Sequence, residues 1–275
     1  MIPPIIPTMT RMEMIRMNIR PPEENEQISM LDILIGTHTA LERQGPGSPE
    51  MTARALSFLG GFDENSRVAD LGCGTGGQTM VLARHIAGRI TGLDQSPDFI
   101  HIFNDNARRL RLQERVSGII GSMENLPFQK EELDLIWSEG AIDAIGFENG
   151  LSHWNAFLKR GAFVAVTCPS WLTGDHPGEI ERFWTDAGSG LDTIAHNIGV
   201  MQKTGYSPIA AFTLPEECWT DNYFIPRAAA EQAILEKRAG NKIVEEYVAG
   251  SRYEAELYSK YKQYYGYMFY IGRKI

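Results

Sequence analysis

The feature that most constrains the fold is a glycine-rich segment at 68–77, with the sequence Val-Ala-Asp-Leu-Gly-Cys-Gly-Thr-Gly-Gly. It follows a short apolar run at 67–71 that predicts a strand, and it precedes a predicted helix at 78–87. Glycine permits sharp turns and a close approach of ligand to backbone that a Cβ would block. The free N–H groups of a helix start favour an anionic group nearby. The segment therefore predicts a nucleotide-type cofactor between the first strand and the following helix.

The glycine spacing does not by itself identify the cofactor. Gly72, Gly74 and Gly77 also satisfy G-x-G-x-x-G, the dinucleotide-binding pattern. Asp70, however, stands where a dinucleotide site usually has apolar residues, and a carboxylate there would repel pyrophosphate and suit an ammonium group. Asp94 ends the next predicted strand, where a carboxylate can accept hydrogen bonds from both ribose hydroxyls. These residues favour a ligand with a ribose and an ammonium group; the alternative is a glycine turn with an incidental acidic residue.

Predicted strands and helices alternate along the rest of the chain. This alternation indicates an α/β fold, a doubly wound parallel sheet covered by helices on both faces. The segment at 215–264 departs from the rhythm and predicts a small helical cap whose tyrosines mainly serve packing. Further strands are predicted at 89–93, 115–120, 133–137, 162–167 and 267–274, and helices at 49–59 and 97–110.

Composition excludes several function classes. The net charge is −9 and lysine and arginine do not cluster, which argues against nucleic-acid and anionic-membrane partners. No apolar run approaches the roughly 20 residues of a membrane span. The three cysteines, Cys73, Cys168 and Cys218, are odd in number and far apart, which fits a reducing, cytoplasmic location. Neither cysteine nor histidine spacing predicts a metal site.

The first 39 residues predict a variable N-terminal extension. Methionine and proline are concentrated in the first 22 residues, which lack the continuous apolar stretch and cleavage site of a signal peptide. We expect either a disordered extension or a translation start placed too early, with Met17 or Met30 as the true start.

Four motifs, in order, resemble those of the class I S-adenosylmethionine-dependent methyltransferases, nearest to the UbiE-like small-molecule type. Asp70–Gly76 resembles the first motif, and Gly92–Ser96 resembles the second, with Asp94 in the ribose-binding position. Gly121–Phe128 is similar to the segment beside the adenine, with Ser122 in place of the family's Asp. Leu133–Ala141 resembles the fourth strand and the loop that faces the methyl donor and acceptor.

The resemblance implies a Rossmann-like, mostly parallel seven-stranded sheet with an antiparallel last strand, spanning residues 40–275. Leu41–Ser48 also resembles a segment of such relatives and suggests a lid over the cofactor; a plain loop before a helix is the alternative. The implied cofactor is S-adenosyl-L-methionine. The residues implied to bind it are Gln44, Gly45, Asp70, Gly72, Cys73, Gly74, Thr75, Gly76, Asp94, Gln95, Ser96, Ser122, Met123, Glu124, Glu139 and Gly140.

The implied reaction is methyl transfer to a small-molecule acceptor, with Glu139 and His176 as candidate bases if a proton must be removed. Glu139 can instead be a loop carboxylate near the cofactor amine, and His176 a loop or capping residue. Aromatic side chains in segments expected to roof the pocket offer stacking for a planar or cationic acceptor, or simply pack the core. They are Trp171, Trp219, Tyr223 and Phe224.

Two other functions remain open at the level of sequence. The glycine pattern also fits a nucleotide-dependent oxidoreductase or epimerase. A non-catalytic S-adenosylmethionine-binding regulator is the second alternative. Nucleic-acid methylation is disfavoured, since Ser138–Ala141 stands where an N-P-P-Y-like motif would follow the fourth strand.

Overall fold

A computed structural model describes residues 28–275, so the methionine- and proline-rich start of the chain and the candidate start Met17 lie outside the described residues. Seven strands form one sheet in the order β3-β2-β1-β4-β5-β8-β7, and the short β6 pairs with β5. The strands are β1 (Arg67–Leu71), β2 (Arg89–Asp94), β3 (Val116–Ile120), β4 (Leu133–Ser138), β5 (Leu158–Trp171), β6 (Asp192–Thr193), β7 (Tyr206–Thr213) and β8 (Tyr265–Lys274).

Helices precede, connect and cap the strands. The α-helices are α1 (Met30–His38), α2 (Pro49–Leu56), α3 (Gly77–His85), α4 (Pro97–Arg109), α5 (Phe147–Asn155), α6 (Gly178–Asp186), α7 (Ile194–Lys203), α8 (Ile225–Lys237) and α9 (Lys242–Tyr261). Short turns of 3-10 and π-helix lie at Ile142–Ala144, Glu216–Cys218 and Thr220–Phe224.

The sheet confirms the predicted doubly wound, mostly parallel architecture with an antiparallel last strand. Strands β1 to β5 pair in parallel, whereas β8 runs antiparallel between β5 and β7. The strand order reverses between β1 and β4, so the crevice above their carboxyl ends is where this class of sheet binds ligands. The glycine-rich segment leaves β1 at that point.

Successive side chains along a strand point to opposite faces of the sheet, and on the central strands both sets are apolar. On β4, Trp137 packs into the core on one face, where its ring lies 5.5 Å from that of Phe269, and Ile136 packs into the core on the other. Helices cover each face, as the near-continuous apolar runs of the central strands require.

Helix α2 begins as its sequence predicts. Ser48 is the N-cap, its hydroxyl accepts a hydrogen bond from the Met51 N–H at 3.1 Å, and Pro49 occupies the first helical turn. The regular helix ends at Leu56, earlier than predicted. Its start matters for the site because Thr52, in this helix, contacts Glu139.

Strand β7 was not predicted from the sequence. Its side chains alternate between buried or half-buried and exposed, but Ser207 and Pro208 weaken the apolar pattern, and the pairing with β8 shifts register after Pro208. A proline without an N–H is tolerated on an edge strand such as this one. Strand β5 also extends beyond its predicted bounds at both ends.

The predicted cap is helical, made of two short turns followed by α8 and α9. Helix α1 falls within the predicted extension, yet it packs on this cap, with Ile33 fully buried against Val244 and Val248 of α9. That part of the extension therefore belongs to the packed structure. Within residues 28–275, no helix is both long and apolar enough to cross a bilayer.

Candidate functional site

The glycine loop after β1 adopts a conformation that side chains rarely tolerate. Gly72, Gly74 and Gly76 have φ values of +70°, +54° and +89°. A Cβ on Gly72 would lie 2.3 Å from the Ala141 Cβ, and one on Gly74 would lie 2.0 Å from the Gln44 Oε1. The loop backbone thus forms a cradle that only glycine fits at these positions.

Asp94, at the end of β2, holds this loop from the neighbouring strand. Its carboxylate accepts hydrogen bonds from the Gly74 N–H at 3.0 Å and the Ser96 N–H at 2.9 Å. The residue is 5 % exposed. A carboxylate at the end of this strand can accept hydrogen bonds from ribose hydroxyls as well as from backbone N–H groups.

A strap, residues 41–47, covers the glycine loop from the N-terminal side. The Gln44 side chain accepts from the Thr75 N–H at 2.9 Å and donates to the Thr75 Oγ1 at 3.0 Å. The strap also joins the cap, since the Gly47 N–H donates to the Cys218 carbonyl and the Asn222 amide donates to the Gly47 carbonyl. A lid over the cofactor at this position stays a prediction.

The cleft between strap, glycine loop and β4 is lined by six of the sixteen predicted binding residues, and Asp94 is not among them. Arg43, Pro46 and Gln78, which were not predicted, also line it. The lining residues are Arg43, Gln44, Gly45, Pro46, Gly72, Cys73, Gln78, Glu139 and Gly140.

The predicted adenine side lies next to this cleft. The Gln95 amide donates to the Ser122 hydroxyl at 3.4 Å, and the same hydroxyl accepts from the Glu124 N–H at 3.2 Å. The Met123 sulfur would lie 3.5 Å from a Cβ on Gly72. The second and third sequence motifs are therefore neighbours of the first in space.

Asp70 lies differently from the sequence expectation. Its carboxylate is fully buried and accepts hydrogen bonds from the Thr79 hydroxyl and, at 3.4 Å, from the Gln78 amide. It therefore faces the first turns of α3, where these two side chains donate hydrogen bonds to it. These bonds fix the end of β1 against the start of α3. A direct contact with a ligand ammonium group stays a prediction.

Burial raises the pKa of Asp70 to about 7, with a further increase from the charge of Glu139, while the Thr79 hydrogen bond lowers it. The folded protein thus retains a proton that the unfolded chain, with an ordinary pKa near 3.8, has released. The contribution of Asp70 to the free energy of unfolding therefore falls as pH rises from about 4 to about 7, and then levels off.

We expect Asp70→Asn to remove this dependence, because an amide does not ionise. The free energy of unfolding of the variant, relative to the native chain, should rise between pH 4 and pH 7 in urea titrations. Thr79→Val should raise the pH at which the stability levels off, because it removes the hydrogen bond that lowers the pKa of Asp70. A constant difference between Asp70→Asn and the native chain over this range would contradict the assignment.

Glu139, a predicted base, is held on both carboxylate oxygens. Its Oε2 pairs with the Arg43 guanidinium at 2.7 Å, and its Oε1 accepts from the Thr52 hydroxyl at 2.7 Å and the Trp137 indole at 2.9 Å. The side chains of the ion pair are only 6 % and 4 % exposed. This geometry favours a positioning role that ties the strap to β4; proton abstraction by Glu139 stays a prediction.

Two of the partner residues could not be read from motifs. Arg43 lies in the segment that suggested a lid, but no local signal links it to Glu139. Thr167 on β5 accepts a hydrogen bond from the Gly140 N–H at 2.7 Å and so fixes the loop after β4. Both contacts join residues that are far apart in sequence, 96 positions for Arg43 and Glu139 and 27 positions for Thr167 and Gly140.

His176, the other predicted base, is not among the residues that line the cleft. Its ring stacks on Trp171 with centroids 3.6 Å apart and planes within 6°. Its Nε2 is 3.9 Å from a Glu181 oxygen. Within residues 28–275, no group of three or more acidic, histidine or cysteine side chains is arranged to hold a metal ion.

Comparison with known sequences agrees with this geometry. Residues 68–161 match the family described as "Methyltransferase domain". Sterol 24-C-methyltransferase of Debaryomyces hansenii is 29% identical over 135 residues, which are 48% of this chain and 35% of that protein. Geranyl diphosphate 2-C-methyltransferase of Streptomyces coelicolor is 26% identical over 113 residues, covering 41% of this chain and 39% of that protein. The chain therefore spans little more than a third of these relatives.

Solved structures show the same fold. A methyltransferase from Geobacter sulfurreducens, in complex with S-adenosyl-L-homocysteine, superposes with a TM-score of 0.78 at 21% identity, over 88% of this chain and 98% of that one. The geranyl diphosphate C-methyltransferase of Streptomyces coelicolor gives 0.59 at 17% identity, over 82% and 79%. Residues 68–161 thus match a methyltransferase domain, and the chain has the same fold as these solved methyltransferases.

Proposed function

We propose that this chain binds S-adenosyl-L-methionine in the cleft and transfers its methyl group to a small-molecule acceptor. The observation that carries the proposal is the hydrogen bond from the Gly74 N–H to the Asp94 carboxylate. This hydrogen bond joins the glycine loop, which has no room for side chains at Gly72 and Gly74, to a carboxylate at the end of the adjacent strand β2. That pair supplies close backbone approach and ribose recognition at the point where the sheet order reverses.

Each part of the site has a distinct binding task. Asp94 accepts the ribose hydroxyls, and the backbone of the glycine loop lies along the ligand. The strap covers it through Gln44 and Gly45. The remaining predicted contacts lie on the adenine side and beside the reacting methyl group, at Gln95, Ser96, Ser122, Met123, Glu124 and Gly140.

When bound, the sulfonium supplies an activated methyl and its own leaving group, so the chain's main task is in-line positioning. Orientation of two reactants is worth about 7–11 kcal/mol of barrier. The ion pair of Arg43 and Glu139 fixes the strap against β4, and the Thr167 hydrogen bond fixes Gly140. These contacts hold the cleft walls in place.

We further propose that the protein acts in the cytoplasm and does not methylate nucleic acid. The net charge of −9 disfavours a polyanionic partner. Cys73, Cys168 and Cys218 are all buried thiols, which fits a reducing compartment.

The test is formation of S-adenosylhomocysteine by the full chain in the presence of S-adenosylmethionine. Neutral phenols, amines, duplex DNA and tRNA serve as separate acceptor pools. We expect turnover with a small-molecule pool and none with the nucleic acids. Tight cofactor binding without turnover in any pool would instead identify a regulator.

A further inference from the structure

The backbone N–H groups of the glycine loop are already bonded within the protein. Each N–H from residue 72 to residue 76 donates to an acceptor of the chain itself, at distances of 2.8 to 3.1 Å. In order, the acceptors are the Leu93 carbonyl twice, the Asp94 carboxylate, the Gln44 side chain and the Cys73 carbonyl. A dinucleotide site differs, because there the N–H groups of the loop and helix start bind the pyrophosphate.

Gln44, in the strap, covers the point at which a pyrophosphate would approach the loop. In the dinucleotide pattern G-x-G-x-x-G, the second glycine lacks a side chain so that the backbone can come close to the pyrophosphate. Here that glycine is Gly74, and the Gln44 Oε1 already fills the space that a Cβ on it would take. The same oxygen accepts from the Thr75 N–H at 2.9 Å. The carboxamide oxygen therefore takes the place that a phosphate oxygen would need.

The amide nitrogen of Gln44 fixes this orientation. It donates to three acceptors at 3.0 to 3.1 Å, which are the carbonyls of His38 and Leu41 and the hydroxyl of Thr75. Further along the helix start, the Glu42 carbonyl oxygen would lie 2.5 Å from a Cβ on Gly77. The strap thus presents oxygen atoms to the loop and to the first residue of α3.

Gln44 is better placed than Asp70 to discriminate against a pyrophosphate. The sequence suggested that the Asp70 carboxylate would repel one, but this group is fully buried and bonded to Thr79 and Gln78. Gln44 lines the cleft, whereas Asp70 is not among the lining residues. Discrimination at the cleft surface therefore depends on the strap.

We propose that Gln44 determines cofactor specificity by excluding a pyrophosphate from the glycine loop. This inference rests on the proposed function, because it concerns the same cleft. Phosphate oxygens are negatively charged acceptors, so the oxygen atoms of the strap repel them. An ammonium group, which S-adenosylmethionine carries, donates three hydrogen bonds and suits the same oxygens. The strap thus selects against dinucleotides, although they share the adenosine of S-adenosylmethionine.

The test compares adenosine with ADP, because the two ligands differ only by the pyrophosphate. Calorimetry on the full chain measures the affinity of each ligand, and of S-adenosylmethionine, without divalent metal ions. Gln44→Ala removes the oxygen and uncovers the Thr75 N–H. Gln44→Glu keeps an acceptor oxygen at the same place and adds a negative charge.

Asn104 offers a matched control for the loss of a carboxamide. Its side chain in α4 also bonds backbone groups of another element, accepting from the Gly118 N–H at 2.9 Å and donating to the Gly118 carbonyl at 3.0 Å. Asn104→Ala therefore removes similar hydrogen bonds at a site that does not line the cleft. Thermal unfolding of every variant is measured in parallel.

We expect the native chain, Gln44→Glu and Asn104→Ala to bind ADP no more tightly than adenosine. In Gln44→Ala, the ratio of ADP affinity to adenosine affinity should rise about ten- to a hundredfold, the range for a hydrogen bond to a charged group.

Three results overturn the role of Gln44 and leave the proposed function intact, provided that the native chain binds S-adenosylmethionine. They are an unchanged ratio or no ADP binding in Gln44→Ala, tighter binding of ADP than of adenosine by the native chain or by Gln44→Glu, and an equal rise of the ratio in Asn104→Ala. Failure of the native chain to bind S-adenosylmethionine overturns both.

Discussion

Replacing Asp94 by alanine is expected to weaken S-adenosylmethionine binding at least about 100-fold, which corresponds to about 2.7 kcal/mol. Hydrogen bonds to a charged group contribute about 1.5–3 kcal/mol each, and the proposed site places two ribose hydroxyls on this carboxylate. The variant also frees the Gly74 N–H that Asp94 binds, so the loop loses its fixed position. Isothermal calorimetry on the full chain measures the affinity directly.

Asp134 offers a matched control for this change. It is also a carboxylate on a central strand, but it lies at the amino end of β4, where it accepts from the Arg67 N–H at 2.9 Å and the Lys159 ammonium at 2.8 Å. Asp134→Ala should lower stability and leave cofactor affinity unchanged. Affinity within threefold of native in Asp94→Ala would contradict the ribose assignment.

Replacing Glu139 by glutamine is expected to lower the free energy of unfolding by about 3–5 kcal/mol. This is the range for removing one partner of a buried ion pair, because the Arg43 charge remains buried without its counter-charge. Urea denaturation measures the loss. If Glu139 were mainly a proton acceptor, the substitution would reduce turnover and leave stability near native.

Two further variants distinguish the effect of breaking the buried ion pair from the effect of removing a negative charge. Arg43→Met combined with Glu139→Gln should be less destabilised than the sum of the single variants, since neither charge is then left unpaired. Glu148 forms an ion pair with Lys203, and the two side chains are 48 % and 71 % exposed, respectively. Glu148→Gln breaks this exposed pair and should change the free energy of unfolding by less than about 1 kcal/mol. A Glu139→Gln effect as small as that of Glu148→Gln would contradict the buried-pair account.

The parts of the fold that the sequence predicted are those with strong local signals. The central strands are short apolar runs, and the glycine loop and Asp94 are fixed by spacing within one β-α-β unit. Strand β7 was missed because Pro208 and small residues weaken its pattern, and the contact of α1 with the cap depends on helices some 200 residues later in the chain. Local periodicity does not report such pairings.

For the site, too, local motifs could be predicted from the sequence, whereas contacts between distant residues could not. Its glycine loop follows from sequence, but the orientation of Asp70 depends on Thr79 and Gln78 reaching over the end of β1. Glu139 looked available for proton transfer because its partner Arg43 is 96 residues away. The ring contacts of Tyr265 with Trp171, Trp184 and Trp219 likewise join residues that only the folded chain brings together.

The central claim is that the cleft takes S-adenosylmethionine, and calorimetric titration of the full chain tests it most directly. The same preparation is titrated with S-adenosylmethionine and, separately, with NAD. The account predicts saturable one-to-one binding of S-adenosylmethionine and no binding of NAD. Binding of NAD without binding of S-adenosylmethionine would contradict it.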